Sequence, residues 1–157
     1  MLDNSAIRVR EATIRDDSLI AEFFREMWLD LDIPDDAIAP DYLSIVREYI
    51  ESARRDLDYK AFIAEESGNA IGCVSCQRFA GLYPNILLRH YQRGYIWGVY
   101  VIPSHRRRGI ATQLTRYCVE YLKSLNCTHA VLNASPIGRS VYENMGFIEG
   151  NSMDFVL

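Results

Sequence analysis

Residues Trp97 to Leu114 constrain this chain more than any other stretch. Their first part is an apolar run of strand character that reaches Pro103. Three arginines follow, Arg106 to Arg108, and Gly109 then opens a segment that places Ile110, Leu114, Cys118, Tyr121, Leu122 and Leu125 at helical spacing. A strand feeding a helix over so short a distance demands a sheet with a helix packed on its face. The helix start carries unpaired N–H groups and a partial positive charge, and a glycine there leaves the backbone open to a ligand. The stretch reads either as a basic turn capping an ordinary strand–helix unit or as a seat for an anionic phosphate group, and its composition favours the seat.

The chain has 157 residues with a net charge of −4, which fits one domain, residues 1–157, and argues against a general nucleic-acid surface. The arginine cluster therefore reads as a local ligand site. There is no apolar run long enough to span a membrane and no basic leader before an apolar stretch, so a reducing cytoplasm is the expected setting. Cys73 and Cys76 form a C-x-x-C, but on a strand residues three apart face opposite sides, so no shared metal is expected there. Cys118 and Cys127 add no second pair of that spacing, and all four read as structural thiols.

Alternation from Ile7 to Thr13 predicts an opening strand. Asp16 and Asp17 supply capping chemistry before a helix bearing Leu19, Ile20, Phe23, Phe24, Met27 and Trp28 on one face. An acid- and proline-rich loop, Leu31 to Pro40, precedes a second helix through Tyr42, Val46, Tyr49 and Ile50. Tyr59–Ala64 and Ala70–Phe79 read as a hairpin through Gly68-Asn69, and Ala80–Arg93 as a binding loop. Tyr95–Val101 is the fourth strand and His129–Leu132 the fifth; a further helix starts at Ser135-Pro136 and ends at Gly146. Phe147–Glu149 and Met153–Val156 complete a hairpin across Gly150-Asn151. The expected architecture is α/β (α+β), a mixed sheet of about seven strands with about four helices.

Val101-x-Pro103-x-x-Arg106-x-x-Gly109-x-Ala111 resembles the acyl-CoA motif of the GNAT superfamily of N-acyltransferases. Ala134-Ser135-Pro136-x-Gly138-Arg139-x-x-Tyr142-Glu143-x-x-Gly146-Phe147 is similar to that superfamily's C-terminal motif. The resemblance implies that the fourth and fifth strands run parallel and splay apart around pantetheine. It also implies that Val99 and Val101 pair with pantetheine amides, and that N–H groups of Arg107, Arg108, Gly109, Ile110 and Ala111 surround the pyrophosphate. Arg106 and Arg108 would add charge-assisted contacts. Gly98 either relieves crowding within the strand or marks a bulge, and the family favours the bulge, which frees a donor near Val99 or Tyr100 for the oxyanion.

Tyr142 matches the family's general acid, placed to protonate the departing thiolate. Ser135 stands where many members carry asparagine, so its contact to pantetheine is a shorter one, and Asn133 lies two residues away. The fourth strand offers Tyr95, Trp97 and Tyr100 but no carboxylate base, which leaves a water relay or His90, Glu26 or Asp30. The implied activity is transfer of an acetyl group from acetyl-CoA to a primary amine by direct attack in a ternary complex, without a metal. The acceptor would be a small molecule or a peptide, with no nucleic-acid or membrane partner, and a homodimer is compatible with the pattern. Trp28, Tyr83, Tyr91, Tyr95 and Trp97 are candidate pocket walls, and Asp30, Asp32, Asp35 and Asp36 candidate cation-attracting groups. The alternatives are a catalytically degenerate acyl-CoA-binding sensor and an interaction module whose basic turn holds a phosphorylated or nucleic-acid partner.

Overall fold

The computed structural model describes residues 6–157. Its elements run β1 (Arg8–Glu11), α1 (Asp17–Asp30), α2 (Tyr42–Asp56), β2 (Lys60–Glu66), β3 (Asn69–Phe79), β4 (Arg93–Val101), α3 (Ile110–Ser124), β5 (His129–Val131) and α4 (Arg139–Asn144). The strands form one mixed sheet in sequential order, antiparallel from β1 to β4 and parallel between β4 and β5.

Period-two alternation divides the strand side chains between two cores. Ala61, Ile63, Cys73 and Tyr100 face α1 and α2, where Ile20, Ala21, Val46 and Ile50 cover them. Phe62, Ala64, Val74, Cys76 and Ile96 face α3 and meet Ile110, Leu114, Cys118 and Leu122. Cys73 and Cys76 thus lie on opposite sides of the sheet, and all four cysteines are free thiols. Gly94 lets α3 approach the sheet closely, since a Cβ there would stand 2.4 Å from a Leu122 methyl.

Several local expectations are corrected. The β2–β3 turn is Ser67-Gly68, not Gly68-Asn69; both residues have positive φ, 52° and 78°, the primed-turn geometry that matches strand twist. Thr13 and Asp16 make a reciprocal capping box around a short helical turn, so α1 begins only at Asp17, whose buried carboxylate pairs with Arg54 of α2. Ser135-Pro136 does not begin α4, which starts at Arg139 after a turn over residues 136–138.

The sheet has five strands rather than about seven, because among the described residues no strand follows β5. Phe147, expected to open a strand, is instead bound into the end of α4: its N–H donates to Tyr142 O and that of Gly146 to Glu143 O, with Gly146 at φ 98°. This is the glycine-terminated helix stop in which the two residues past the cap satisfy the last carbonyls. Without that strand, the Met153–Val156 segment has no strand partner among the described residues, and a lone hairpin is marginal in water.

Candidate active site

β4 and β5 pair only at Arg93↔His129, Gly94↔Ala130 and Tyr95↔Val131. Beyond Tyr95, β4 continues to Val101 with no strand on its β5 side, so the two parallel strands form a V open toward their C-terminal ends. The chain leaves β5 at that open end and reaches α4 through residues 132–138.

Within β4 the ladder to β3 slips by one residue: Ser75 pairs with Trp97 and Cys73 with Tyr100, so Gly98 and Val99 together oppose Val74. Gly98 adopts φ 63°, a left-handed conformation that costs glycine little, and the result is the expected bulge. Ile102 N–H donates to Ile71 O at 2.9 Å, turning that amide toward β3. Successive amides on a strand point to opposite sides, so the N–H groups of Val101 and Val99 point away from β3 into the V. The Val101 carbonyl, on the same side, accepts from Arg106 Nε at 2.8 Å.

The three arginines have separate placements. Arg106 bonds to Val101 O, pairs with Asp30 at the end of α1 and lies 5.5 Å from the centre of the Tyr100 ring. Arg108 donates to Glu66 Oε1 at 2.9 Å, while His105 Nε2 meets the other Glu66 oxygen at 2.7 Å. Those two contacts, His105 first, hold the Glu66 carboxyl below its usual range. Arg107 is exposed with φ 60°, and among the described residues no carboxylate pairs with it. Gly109 caps α3 in the left-handed conformation, with φ 76° and no side-chain cap, so the N–H groups of Ile110, Ala111 and Thr112 lack intrahelical partners by geometry. A Cβ at Gly109 would meet nothing within 4 Å, which leaves the approach to that helix start open. An anionic pyrophosphate fits these donors and the dipole behind them.

On α4, Tyr142 is half-buried, and burial raises its phenol above the usual pKa. The ring is edge-on to Phe147 at 5.8 Å. Ser135 Oγ accepts from Gly138 N–H at 3.1 Å, which ties its hydroxyl to the turn before α4. Asn133 donates to the Tyr95 hydroxyl at 3.0 Å, bridging the two strands where they begin to separate.

The opposite wall comes from α1, α2 and β3. Trp97 is held edge-on between Phe24 and Tyr49 at 5.4 and 5.5 Å, and Trp28 abuts Phe24 at 6.0 Å. Gln77, buried on β3, accepts from Trp97 Nε1 at 3.1 Å and donates to the Tyr49 hydroxyl at 2.8 Å. Glu26 and Asp30 act electrostatically on Tyr100, whose phenol is raised first by burial. The sequence reading missed Gln77, Tyr49 and Glu66, because strand and helix patterns do not show which polar residues meet across elements. It also expected the 80–93 loop at the site. Instead His90 Nε2 meets Asn126 O at 2.8 Å and Tyr91 stacks 4.7 Å from His129, which anchors the loop at the closed end of the V and leaves Tyr83 exposed.

A parallel pair of strands that parts after Tyr95, followed by a bulge at Gly98 and an uncapped helix start at Gly109, is the pattern expected of an acyl-CoA-dependent N-acyltransferase. The comparisons agree. The family model described as "Acetyltransferase (GNAT) family" matches residues 19–147. The aminoglycoside N(6')-acetyltransferase type 1 of Acinetobacter haemolyticus is 36% identical over 59 residues, covering 36% of this chain and 41% of that enzyme. A GCN5-related N-acetyltransferase from Ralstonia eutropha JMP134 shares the fold at TM-score 0.83 and 24% identity, over 97% of this chain and 99% of its own. A predicted acetyltransferase from Clostridium acetobutylicum, solved with acetyl-CoA, superimposes at TM-score 0.83 and 25% identity, covering 97% and 96%. Aminoglycoside N-acetyltransferase AAC(6')-Iy, solved with CoA, is similar at TM-score 0.70 and 26% identity, covering 100% and 97%. The chain belongs to the GNAT acetyltransferase family, and it spans 41% of the length of the curated relative it matches. Among the described residues, no helix is long and apolar enough to cross a membrane, and no cluster of His, Cys, Asp and Glu has the makings of a metal site.

Proposed function

We propose that residues 1–157 act as one catalytic unit that moves the acetyl group of acetyl-CoA to a primary amine of a small, cationic acceptor. The observation that carries this reading is the outward-facing amide pair of Val99 and Val101 at the bulge, beside a V that leaves six residues of β4 without a β5 partner. In the proposed ternary complex, the N–H of Val101 and the carbonyl of Val99 align pantetheine, and the N–H groups from Arg107 to Ala111 hold the pyrophosphate. The amine nitrogen attacks the thioester carbon, and its electron pair forms the new C–N bond while the carbonyl pair moves to oxygen. The Val99 N–H donates to that oxyanion, a contribution of about 3 kcal/mol for one good donor. Collapse breaks the C–S bond, and the Tyr142 hydroxyl gives its proton to the leaving sulfur. The proton lost by the amine leaves through water or through Glu26 or Asp30 on the acceptor side; His90 stands at the closed end of the V and is set aside.

Support for a small cationic amine comes from the aromatic wall of Trp28, Phe24 and Trp97, whose ring faces stabilise ammonium groups. The aminoglycoside acetyltransferases among the similar proteins fit the same chemistry. Cys73 is buried, which pushes its thiol up to about 12, so it does not suit a covalent relay. Free thiols suit a cytoplasmic setting.

The absence of a carboxylate on β4 favours one second reading, an acyl-CoA-binding sensor without catalysis. The two are separated by incubating the protein with acetyl-CoA and a panel of amines that includes polyamines and aminoglycosides. Enzymatic release of thiol supports transfer. Stabilisation of the fold by acetyl-CoA with no thiol release across the panel supports the sensor.

A further inference from the structure

The hydrogen bonds around Trp97 run in one direction. An indole N–H only donates, so the buried Gln77 must turn its oxygen to Trp97 Nε1, at 3.1 Å, and its amide nitrogen to the Tyr49 hydroxyl, at 2.8 Å. The Tyr49 oxygen therefore accepts, and the proton it carries has no acceptor among the described residues. Tyr49 is 50% exposed, which leaves that proton to solvent or to a ligand. Tyr95 repeats the arrangement. It stands directly opposite Gln77 in the β3–β4 ladder and two residues from Trp97, so the three side chains share one face of the sheet, the face on which Trp97 meets α1 and α2. Its hydroxyl oxygen accepts from Asn133 Nδ2 at 3.0 Å, and its proton likewise has no acceptor among the described residues. Tyr95 also forms the last rung with β5 before the strands part. The two phenols are near enough for Tyr49 to reinforce the rise in the Tyr95 pKa that burial causes first.

We propose that the hydroxyls of Tyr49 and Tyr95 form a pair of hydrogen-bond donors that selects, among primary amines, those whose skeleton also bears an oxygen with free lone pairs. Gln77 and Asn133 are the positioning residues, because each occupies a phenol oxygen and leaves its proton outward. The inference rests on the reading that the amine is bound along the Trp97 wall. An amine that covers the two phenols takes them out of water. An oxygen on that amine replaces the lost hydrogen bonds, whereas a plain hydrocarbon skeleton leaves both donors unpaired. A site with donors so placed rejects the analogue that lacks the oxygen more strongly than an apolar pocket rejects a change of size. Hydroxyl and carboxylate oxygens share this chemistry, and the ligands below separate them.

Trp28 and Trp97 are the only tryptophans of the chain and both belong to this wall, so intrinsic fluorescence reports amine binding there without catalysis. The protein is titrated with cyclohexylamine, glucosamine and γ-aminobutyrate in turn. Glucosamine or γ-aminobutyrate is expected to bind about tenfold more tightly than cyclohexylamine, and the tighter of the two identifies the oxygen as hydroxyl or carboxylate. Tyr49→Phe and Tyr95→Phe are each expected to weaken that amine about tenfold, the worth of one good hydrogen bond, and to leave cyclohexylamine unchanged. Tyr49 is half-exposed, so its variant spares the core. Equal weakening of all three amines marks the tyrosines as supports of the wall and overturns the proposal. Equal binding of the three amines by the parent, or no binding of any, overturns it as well, as does a preference that survives both substitutions. Thiol release from acetyl-CoA is measured separately, so acetyl transfer stands or falls independently of this selectivity.

Discussion

The two walls of the cleft are made in different ways. The wall proposed to hold the cofactor, from Gly98 to Thr112, is mostly backbone: a bulge, a left-handed glycine at the head of α3 and a row of N–H groups aimed outward. The wall proposed to face the acceptor is made of side chains from four separate elements, with Trp97 of β4 fixed by Phe24 of α1, Tyr49 of α2 and Gln77 of β3. Backbone donors set by local φ and ψ serve any acyl-CoA, whereas a side-chain wall is tuned to one acceptor. Substitutions on the first wall should therefore change turnover or cofactor affinity, and those on the second should change acceptor affinity.

The largest expected effect falls on Tyr142, the general acid of the proposed mechanism. Tyr142→Phe should lower kcat by about 10²–10⁴-fold, the usual worth of a positioned general acid, with acetyl-CoA affinity by titration calorimetry unchanged. The pH dependence follows from the sign of its shift. Burial raises the phenol above its ordinary value of 10.0, so it keeps its proton throughout the neutral and mildly alkaline range. Activity should thus rise with pH as the acceptor amine loses its proton, and hold at pH 9. A fall in kcat between pH 7 and 9 would remove Tyr142 from the acid role.

Next is Gly98→Ala. A side chain at φ 63° costs about 1–2 kcal/mol, and the added Cβ meets only Phe24 at 3.7 Å, so strain rather than collision is the penalty. The urea midpoint should fall accordingly. If the strain is relieved by flattening the bulge, the Val99 N–H turns away and kcat drops about 10²-fold, the cost of losing one oxyanion donor. Lost stability with unchanged kcat would separate the bulge from catalysis.

Gln77→Leu breaks the comparison from the other side. The change removes the acceptor for Trp97 Nε1 and the donor to Tyr49, freeing the indole that fronts the acceptor. A buried polar group left without its partner costs about 1–3 kcal/mol, so some loss of stability is expected as well. Acceptor KM should rise about tenfold, a change equal to about 1.4 kcal/mol, while acetyl-CoA KM stays put. Equal increases in both would mean that the two walls are one mechanical unit.

The same division explains what the sequence made legible. The bulge at Gly98, the helix start at Gly109 and the parallel V could be placed because each is a short-range consequence of a glycine, a strand and a helix in succession, reinforced by the family pattern. Tyr49, Gln77 and Phe24 meet Trp97 from 20 to 73 residues away, and no local periodicity encodes such meetings. The final strands were misplaced for a related reason. Alternation at Met153–Val156 signals strand character, yet pairing needs a neighbour, and Phe147 had already been bound into the α4 stop. The three arginines looked alike in sequence; Asp30 and Glu66, remote in the chain, assign two of them.

Glu66 makes the smallest prediction and the sharpest test of a backbone-built cofactor wall. It closes β2, takes His105 on one oxygen and Arg108 on the other, and so ties the turn before α3 to the β2–β3 hairpin. Neither partner donates a catalytic group in the proposed mechanism, so Glu66 can act only by holding the loop whose amides receive the pyrophosphate. Glu66→Gln removes the charge and keeps much of the shape. Ion pairs this close to solvent are worth little, so the acetyl-CoA KM should rise only about threefold, with kcat and acceptor KM unchanged. Raised salt should narrow the gap between the variant and the parent, because screening weakens the parent's ion pairs. Pantetheine, which lacks the pyrophosphate, should bind both proteins equally. If Glu66→Gln weakens pantetheine as much as CoA, the carboxylate supports the sheet rather than the phosphate loop, and the cofactor wall depends on side chains after all.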